Sequence, residues 1–435
     1  MAKTSQKSNE TNRRKFIKQT GLAVGAFSLI PRHVLGKGFV APSDKINIGV
    51  IGLGKQSHGL AKAFIRNENC QVVAGCDVWT TKNEWFKQMV QSEYATTKGS
   101  NSYKGTRTYL DYKELLERSD IDAVVVVSPD HWHAAQSIDA MKSGKDVYCE
   151  KPLAHNIKEG RAMAKTAQKT GKILQTGSMQ RSGKNFLKAC ELVRNGYLGE
   201  IKQVLVNVGD PAITYNMQEE PMPAEVNWNQ WCGPAPLLAY NHRLAPSRNN
   251  VDFWPDWRLF KEVGGGILSD WGAHMFDIAQ WALGMDKTGP VRLVPPSDAS
   301  AVRGMKFYYD NGIEMIHKDF GRGWGVRFIG TEGIMDISRS YFETDPENLT
   351  TAALKPTDVR LYDTNGDHYQ DWLSAIKTRK QPICDVETGH RSASVCHLAN
   401  IGYQLNRPLE WNPVKEKFKG DSEANKLRGR KARKF

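Results

Sequence analysis

The chain is 435 residues long, about three times the usual length of one domain, so two domains are the first expectation. Forty per cent apolar residues can bury a sizeable core, and ordinary Gly and Pro usage without a run of 18 apolar residues argues against bulk disorder, a collagen-like fibre and a multi-span membrane protein. The formal net charge of +13 sits at the two ends, +7 in residues 1–40 and +6 in residues 414–435, so the body between them is neutral and offers no nucleic-acid surface.

Residues 1–40 read as an address followed by a linker. Arg13-Arg14-Lys15-Phe16-Ile17-Lys18 precedes a mildly apolar stretch, Gly21 to Ile30, which Pro31 closes; this is the pattern of a twin-arginine export signal and predicts a periplasmic or cell-envelope protein. No Cys follows the stretch, so no lipoprotein anchor and no stable membrane anchor is expected. Seven Cys lie scattered through the chain with no C-x-x-C pair, which argues against a disulfide framework; Cys70, Cys76 and Cys149 read as small buried apolar residues.

The body begins with a β-branched run, Ile46 to Ile51, of strand length. Gly52-Leu53-Gly54-Lys55-Gln56-Ser57-His58-Gly59 follows, then a helical pattern through Leu60, Ala63 and Phe64, then a strand from Gln71 to Cys76 ending at Asp77. Strand, Gly-rich turn, helix, strand and acid is the order that holds a dinucleotide. Gly52 permits the tight turn and Gly54 lets the backbone approach a pyrophosphate at the helix N-terminus, while Ser57 is small enough for close helix–strand packing. Asp77 can accept hydrogen bonds from ribose hydroxyls and would repel a 2′-phosphate, favouring NAD over NADP. Gly52, Gly54, Ser57, His58 and Asp77 are therefore candidate cofactor contacts.

Strand and helix continue to alternate: Ile121 to Val127 reads as a strand, about Trp132 to Ser143 as a helix, Asp146 to Cys149 as a strand, Ile157 to Thr170 as a helix and Lys172 to Thr176 as a strand. Residues 45–176 are thus expected to form a doubly wound, mostly parallel sheet of the Rossmann type, with ligands outside the carboxyl ends of its strands. Two polar clusters fall at those ends, Ser128-Pro129-Asp130-His131-Trp132-His133 and Glu150-Lys151-Pro152.

Residues 177–413 read as a second α/β domain. Glu200 to Gly209, Met305 to Phe320 with a hairpin signal at Asp310-Asn311-Gly312, and Trp324 to Ile337 carry strand patterns; His368 to Thr378 and Thr388 to Leu405 read as helices crossing back over the first domain. Between them, Asp270, His274 and Asp277 project from one face of a helix that starts after three glycines, Gly264 to Gly266. An N-cap Asp and a packed His are the ordinary reading of such residues, but the glycines let backbone pass close to a ligand and His suits proton transfer to and from a secondary alcohol. A metal on Asp270, His274 and Asp277 is the minority reading, and no metal is expected. The stretch 211–255 is long enough to be functional, and the aromatic residues there and just beyond (Trp228, Trp231, Tyr240, Phe253, Trp254, Trp257) offer either sugar-binding faces or core; Trp257-Arg258 is favoured as a site pair. The basic segment 414–435 reads as a solvated extension, with a neighbouring subunit or an anionic surface as alternative partners.

From about Lys45 to Pro413 the chain resembles the glucose–fructose oxidoreductase / inositol dehydrogenase / rhizopine-catabolism (Gfo/Idh/MocA) oxidoreductases. The resemblance rests on Gly52-Leu53-Gly54, Asp77, Ser128-Pro129 to His133, Glu150-Lys151-Pro152, Trp257-Arg258 and Gly264 through His274. It implies an N-terminal NAD-binding Rossmann domain and a C-terminal α/β domain on a large, open, mostly antiparallel sheet that often packs against another subunit, so a homo-oligomer, dimer or tetramer, is expected. It implies that Ser128, Pro129, His131, His133, Glu150, Lys151, Trp257 and Arg258 face the cofactor. It also implies that Lys151 touches the nicotinamide region and the substrate hydroxyl, commonly before a cis-proline, and that Asp270 and His274 line a sugar site.

Three functions follow as expectations. The first is NAD-dependent oxidation of a secondary hydroxyl of a sugar or glycoside, possibly at C3, with Lys151, His274 and Asp270 as the catalytic group. The second is a redox-neutral NAD-dependent glycosidase or lyase working through a keto-sugar. The third, a non-catalytic sugar-binding protein, is disfavoured by intact Lys151, Asp270 and His274.

Overall fold

The computed structural model describes residues 44–97, 103–249 and 251–435; Arg13-Arg14 and the remainder of the expected export signal lie outside the described residues. The compact unit below runs from Ile46 to Phe435.

The first layer system is built on β1 (Ile46–Ile51), α1 (Lys55–Arg66), β2 (Cys70–Cys76), α2 (Thr80–Thr97), β3 (Arg107–Tyr109), α3 (Tyr112–Leu116), β4 (Ala123–Val126), α4 (Asp130–Lys142), β5 (Asp146–Cys149), α5 (Ile157–Thr170) and β6 (Leu174–Thr176). Among the described residues the strands form a six-stranded sheet in the order β3-β2-β1-β4-β5-β6, parallel at each pairing. Its order reverses between β1 and β4, which opens a crevice at their carboxyl ends. All four residues of β4 are buried because both faces are covered. One face packs on Leu60, Phe64 and Phe86 with Trp372, the other on Leu115, Met141, Met163 and Ala393. Helix α5 shows why the sequence pattern set its ends: the Asn156 side chain accepts from Glu159 N at 3.0 Å, and Gly171 closes it at φ 67°.

The second domain comprises α6 (Lys184–Arg194), β7 (Ile201–Asn207), α7 (Trp228–Cys232), α8 (Gly266–Leu283), β8 (Arg292–Val294), β9 (Lys306–Tyr308), β10 (Glu314–His317), β11 (Gly325–Gly330), β12 (Ile334–Ile337), β13 (Phe342–Asp345), α9 (His368–Thr378), α10 (Val386–Leu405), β14 (Leu409–Asn412), β15 (Lys417–Phe418) and α11 (Ser422–Leu427). The strands form a nine-stranded sheet among the described residues, ordered β13-β12-β11-β7-β10-β9-β8-β14-β15, in which only β7 and β10 run parallel. The β9–β10 hairpin turns at Asp310-Asn311-Gly312, where Gly312 takes φ 85°. Helix α8 contributes Leu268, Met275, Phe276 and Ile278 to the core over this sheet.

Asp277, on α8, turns away from the cleft. Its carboxylate receives Arg181 Nε and Nη2, both at 2.8 Å, and the Ser392 hydroxyl at 2.5 Å; Arg181 also donates to Asp286 at 2.7 Å. Arg181 and Asp277 are fully buried, so the pair holds α8 in place through charge-assisted bonds in a dry interior.

The basic C-terminal segment differs from the solvated extension its charge suggests. It adds β15 to the sheet, forms α11, and returns to the first domain. There Arg430 donates to Glu159 and to the His131 carbonyl, Arg433 donates to the Ala235 and Asn229 carbonyls, and Phe435 packs edge-on against Trp132 at 5.0 Å. The six lysines of the segment are exposed, as its composition suggests, whereas Arg430 and Arg433 are taken up by an acid and by carbonyls of both domains. All seven Cys are buried, consistent with small apolar packing.

One cluster joins α5, α10 and this segment: Arg161 bridges Glu387 at 2.6 Å and Glu416 at 2.7 Å, and His390 Nε2 lies 2.6 Å from Glu416. Burial works to raise the Glu416 pKa, but hydrogen bonds from His390 and Arg161 win and hold it at about 2. Its unfolded value is about 4.3. Glu416 therefore adds stability at neutral pH that is lost as pH falls from about 4 toward 2. Thermal melts of the parent and Glu416→Gln should differ clearly at pH 7 and converge near pH 2; a pH-independent difference would contradict this origin.

Candidate functional site

A cleft of about 470 Å³ opens at the carboxyl ends of the parallel strands and is walled by both domains. On its first-domain side, Gly52 holds φ 88°, and a Cβ there would stand 2.4 Å from the Ser128 backbone nitrogen, so only glycine fits the turn. Nothing lies within 4 Å of a Cβ at Gly54, which leaves open space over the start of α1. That helix has no side-chain cap and no acid in its first turn, so its free N–H groups and positive end suit an anion. Asp77 lines the cleft with Oδ2 accepting from Leu53 N at 2.7 Å and Oδ1 from Trp79 N at 3.0 Å. Each oxygen keeps a lone pair for a ribose hydroxyl. These residues fit a dinucleotide.

A segment of the second domain clasps this turn. Lys55 Nζ donates to the Val251 and Phe253 carbonyls at 2.8 and 3.2 Å, and Asn249 donates to the Leu53 carbonyl at 2.7 Å. Trp254 lies on the cleft wall with the Lys55 ammonium and the Arg258 guanidinium each 5.2 Å from its ring centre.

Where the domains meet, Asp270 of α8 joins Lys151, which follows β5. Lys151 Nζ donates to Asp270 Oδ1 at 2.5 Å and to the Asp270 carbonyl at 2.9 Å, while Arg258 Nη1 lies 3.4 Å from Oδ2. Burial opposes ionisation of Asp270, but Lys151 and Arg258 outweigh it and hold the pKa below the usual carboxylate value. The Lys151–Pro152 peptide is cis. His274, one turn further along α8, is buried, and burial together with the Lys151 and Arg339 charges pushes it well below the ordinary histidine pKa. It is therefore neutral at physiological pH. Arg339 donates to its Nε2 at 3.2 Å, which leaves the proton on Nδ1, a buried atom without a hydrogen-bond partner.

The other expected residues divide by their hydrogen bonds. Ser128, Pro129, His133, Glu150, Trp257 and Arg258 line the cleft. His133 has its ring nitrogens 2.8 Å from the Pro152 and Ser128 carbonyls, so it braces the walls and presents no free nitrogen; burial lowers it to about 4. Ser57, His58 and His131 are not on the cleft wall. The Ser57 hydroxyl donates to the Gly54 carbonyl at 2.7 Å, His58 packs against Trp85, and His131 is held between the Trp231 and Val263 carbonyls. Trp228, Trp231 and Tyr240 form a core of their own with Trp79 and Phe260, although Trp231 also reaches the cleft. Gln56 and Asp130, named in the sequence only as parts of their motifs, also line the cleft, as do Met179, Trp324 and Arg339, which the sequence reading did not single out as site residues. The last three carry no motif and arrive from distant segments.

The fold and this cleft define a two-domain nicotinamide-dinucleotide-binding α/β protein. A family model described as "Oxidoreductase family, NAD-binding Rossmann fold" matches residues 46–178, and one described as "Oxidoreductase family, C-terminal alpha/beta domain" matches residues 210–435. The chain belongs to the Gfo/Idh/MocA oxidoreductase family, and NAD is its cofactor. It is similar to a glycosyl hydrolase family 109 protein of Shewanella pealeana, 30% identical over 208 residues, and to an alpha-N-acetylgalactosaminidase of Shewanella oneidensis, 30% identical over 206 residues. Each match spans 44% of this chain and 44% of the relative. The fold is shared with a myo-inositol 2-dehydrogenase of Lactobacillus plantarum (TM-score 0.55, 20% identity, 84% of this chain and 99% of that one). It is shared equally with an aldose-aldose oxidoreductase of Caulobacter crescentus (TM-score 0.57, 19% identity, 84% and 99%).

The Asp77 carboxylate should make NAD bind roughly tenfold to a hundredfold more tightly than NADP, through repulsion of a 2′-phosphate. Calorimetric titration of both cofactors checks this, and Asp77→Asn should narrow the gap; equal affinities in the parent protein would refute it.

Proposed function

We propose that the protein oxidises a secondary hydroxyl of a sugar or glycoside, with C3 as a candidate position, by hydride transfer to NAD. The single observation that carries this is the convergence of the Lys151–Asp270 ion pair and neutral His274 on one wall of the dinucleotide cleft. NAD, when bound, supplies the hydride acceptor. Lys151, held by Asp270, orients the reacting hydroxyl and stabilises the negative charge that grows on its oxygen. His274 can take the hydroxyl proton only through Nε2, because Nδ1 carries the ring proton, so Arg339 must release that nitrogen before the transfer. Both groups sit between the domains, so closure over substrate keeps water from the reacting carbon.

A redox-neutral cycle is the second reading, and the clasp of Lys55 and Asn249 over the Gly-rich turn favours it because it closes in the cofactor. The relatives named as glycosidases lean the same way. A C3 ketone acidifies the C2 hydrogen; the aglycone then leaves as an alcohol, water adds, and the hydride is returned to C3. Export through the Arg13-Arg14 signal would place the protein in the periplasm or cell envelope with NAD already loaded, away from a pool of exchangeable cofactor.

Lys151→Ala should lower turnover by roughly a hundredfold or more without unfolding the protein, and His274→Ala should do likewise with little loss of NAD binding. The assay is mass spectrometry of a glycoside panel incubated with each variant; near-normal turnover in both would refute the assignment. Protein purified without added nucleotide and then denatured should release NAD, held with a dissociation constant of about a micromolar or below. Release of no NAD, together with stoichiometric NADH formation on adding NAD and substrate, would replace the closed cycle with an ordinary dissociable dehydrogenase.

A further inference from the structure

Arg339 lies just past β12 and lines the cleft beside His274. Its guanidinium centre is 4.6 Å from the Trp271 ring centre, and Trp271 in turn meets Trp324 at 4.7 Å, with all three side chains on the cleft wall. Nη2 donates to His274 Nε2 at 3.2 Å and lies 3.4 Å from Gln180 Oε1. Among the described residues, no carboxylate comes within ion-pair distance of Arg339, and its Nε and Nη1 groups make no hydrogen bond to protein. Of the cations beside it, Lys151 and Arg258 share the Asp270 carboxylate. Asp270 and Glu150 favour the charged guanidinium from a distance without pairing with it, and burial, with Asp270 beside it, pushes Asp130 well above the usual carboxylate pKa. Arg339 therefore has no paired carboxylate and presents a planar fork, set over an indole, with free in-plane donors.

A guanidinium in that posture matches an oxyanion held in its plane, while the neighbouring indole faces suit the C–H face of a pyranose. We propose that the substrate is a sugar bearing an oxyanion, a carboxylate or a sulfate ester, and that Arg339 receives that group and sets specificity for it. The proposal rests on the sugar oxidoreductase reading above for its substrate class. It is independent of that reading for its charge: a neutral hexoside leaves the Arg339 donors to water, whereas a uronate or sulfated sugar pairs them. Lysine would not serve equally, because an ammonium has neither the fork nor the flat face.

The test is calorimetric binding to the NAD-loaded protein of matched methyl hexosides, their uronides and their 6-O-sulfates, in the gluco and galacto series. At least one uronide or sulfate should bind roughly tenfold or more tightly than its neutral parent, and the preference should weaken with added salt. In Arg339→Gln, with an unchanged melting temperature, the ratio should fall to within about twofold of one. The uronide and sulfate arms identify which oxyanion is used. The proposal is overturned if no anionic member binds more tightly than its neutral parent, or if the preference survives Arg339→Gln. Turnover is read separately in the same samples: Arg339-dependent binding without any oxidised or cleaved sugar would refute the sugar oxidoreductase reading and leave the anion site standing.

Discussion

The cleft depends on the Asp270 carboxylate. One oxygen accepts from Lys151, at the end of the parallel sheet, and the other faces Arg258, on the segment leading into α8. Three charges from separate stretches of chain thus meet around one buried group. Their balance is asymmetric: two cations share one anion, so Asp270 stays ionised against its own burial cost. Such an environment favours a growing oxyanion on a substrate hydroxyl and disfavours protonated His274. The acid–base character of the wall therefore comes from the arrangement of charge around Asp270.

Around this hub the structure spends its interactions on joining the domains. Arg181 clamps α8 through Asp277, α9 places Trp372 against the first-domain sheet, and the C-terminal segment ties His131 and Trp132 to the aromatic block of 228–245. His131 and His133, each held between carbonyls, stiffen the same corner. Rigid walls hold reacting groups to a fraction of an ångström, which is what hydride transfer and proton transfer in one cleft require. The clasp over the Gly-rich turn consists instead of hydrogen bonds from Lys55 and Asn249, and these can open without disturbing a core.

Local chemistry made much of this legible in the sequence. A β-branched run followed by Gly-x-Gly, a helix and an acid at the end of the next strand has few other physical uses, so the parallel sheet, the turn and Asp77 could be read directly. The α5 helix could be read from Ile157 to Thr170, and the β9–β10 hairpin from Asn311-Gly312. Short strands without alternation, such as β8 and β13, were not legible, because a three- or four-residue pairing owes its existence to its neighbours.

By itself the sequence determined which residues could bind a dinucleotide and which helix carries Asp270 and His274. Only the tertiary structure decided that Asp277 belongs to Arg181, that His131 and Ser57 brace the cleft from behind, and that Arg339 and Trp324 reach its wall. The physical reason is range. Turns, caps and strand periodicity arise from contacts within a few residues, whereas charge partners, burial and the resulting protonation states are set by segments more than sixty residues apart, such as Arg339 and His274.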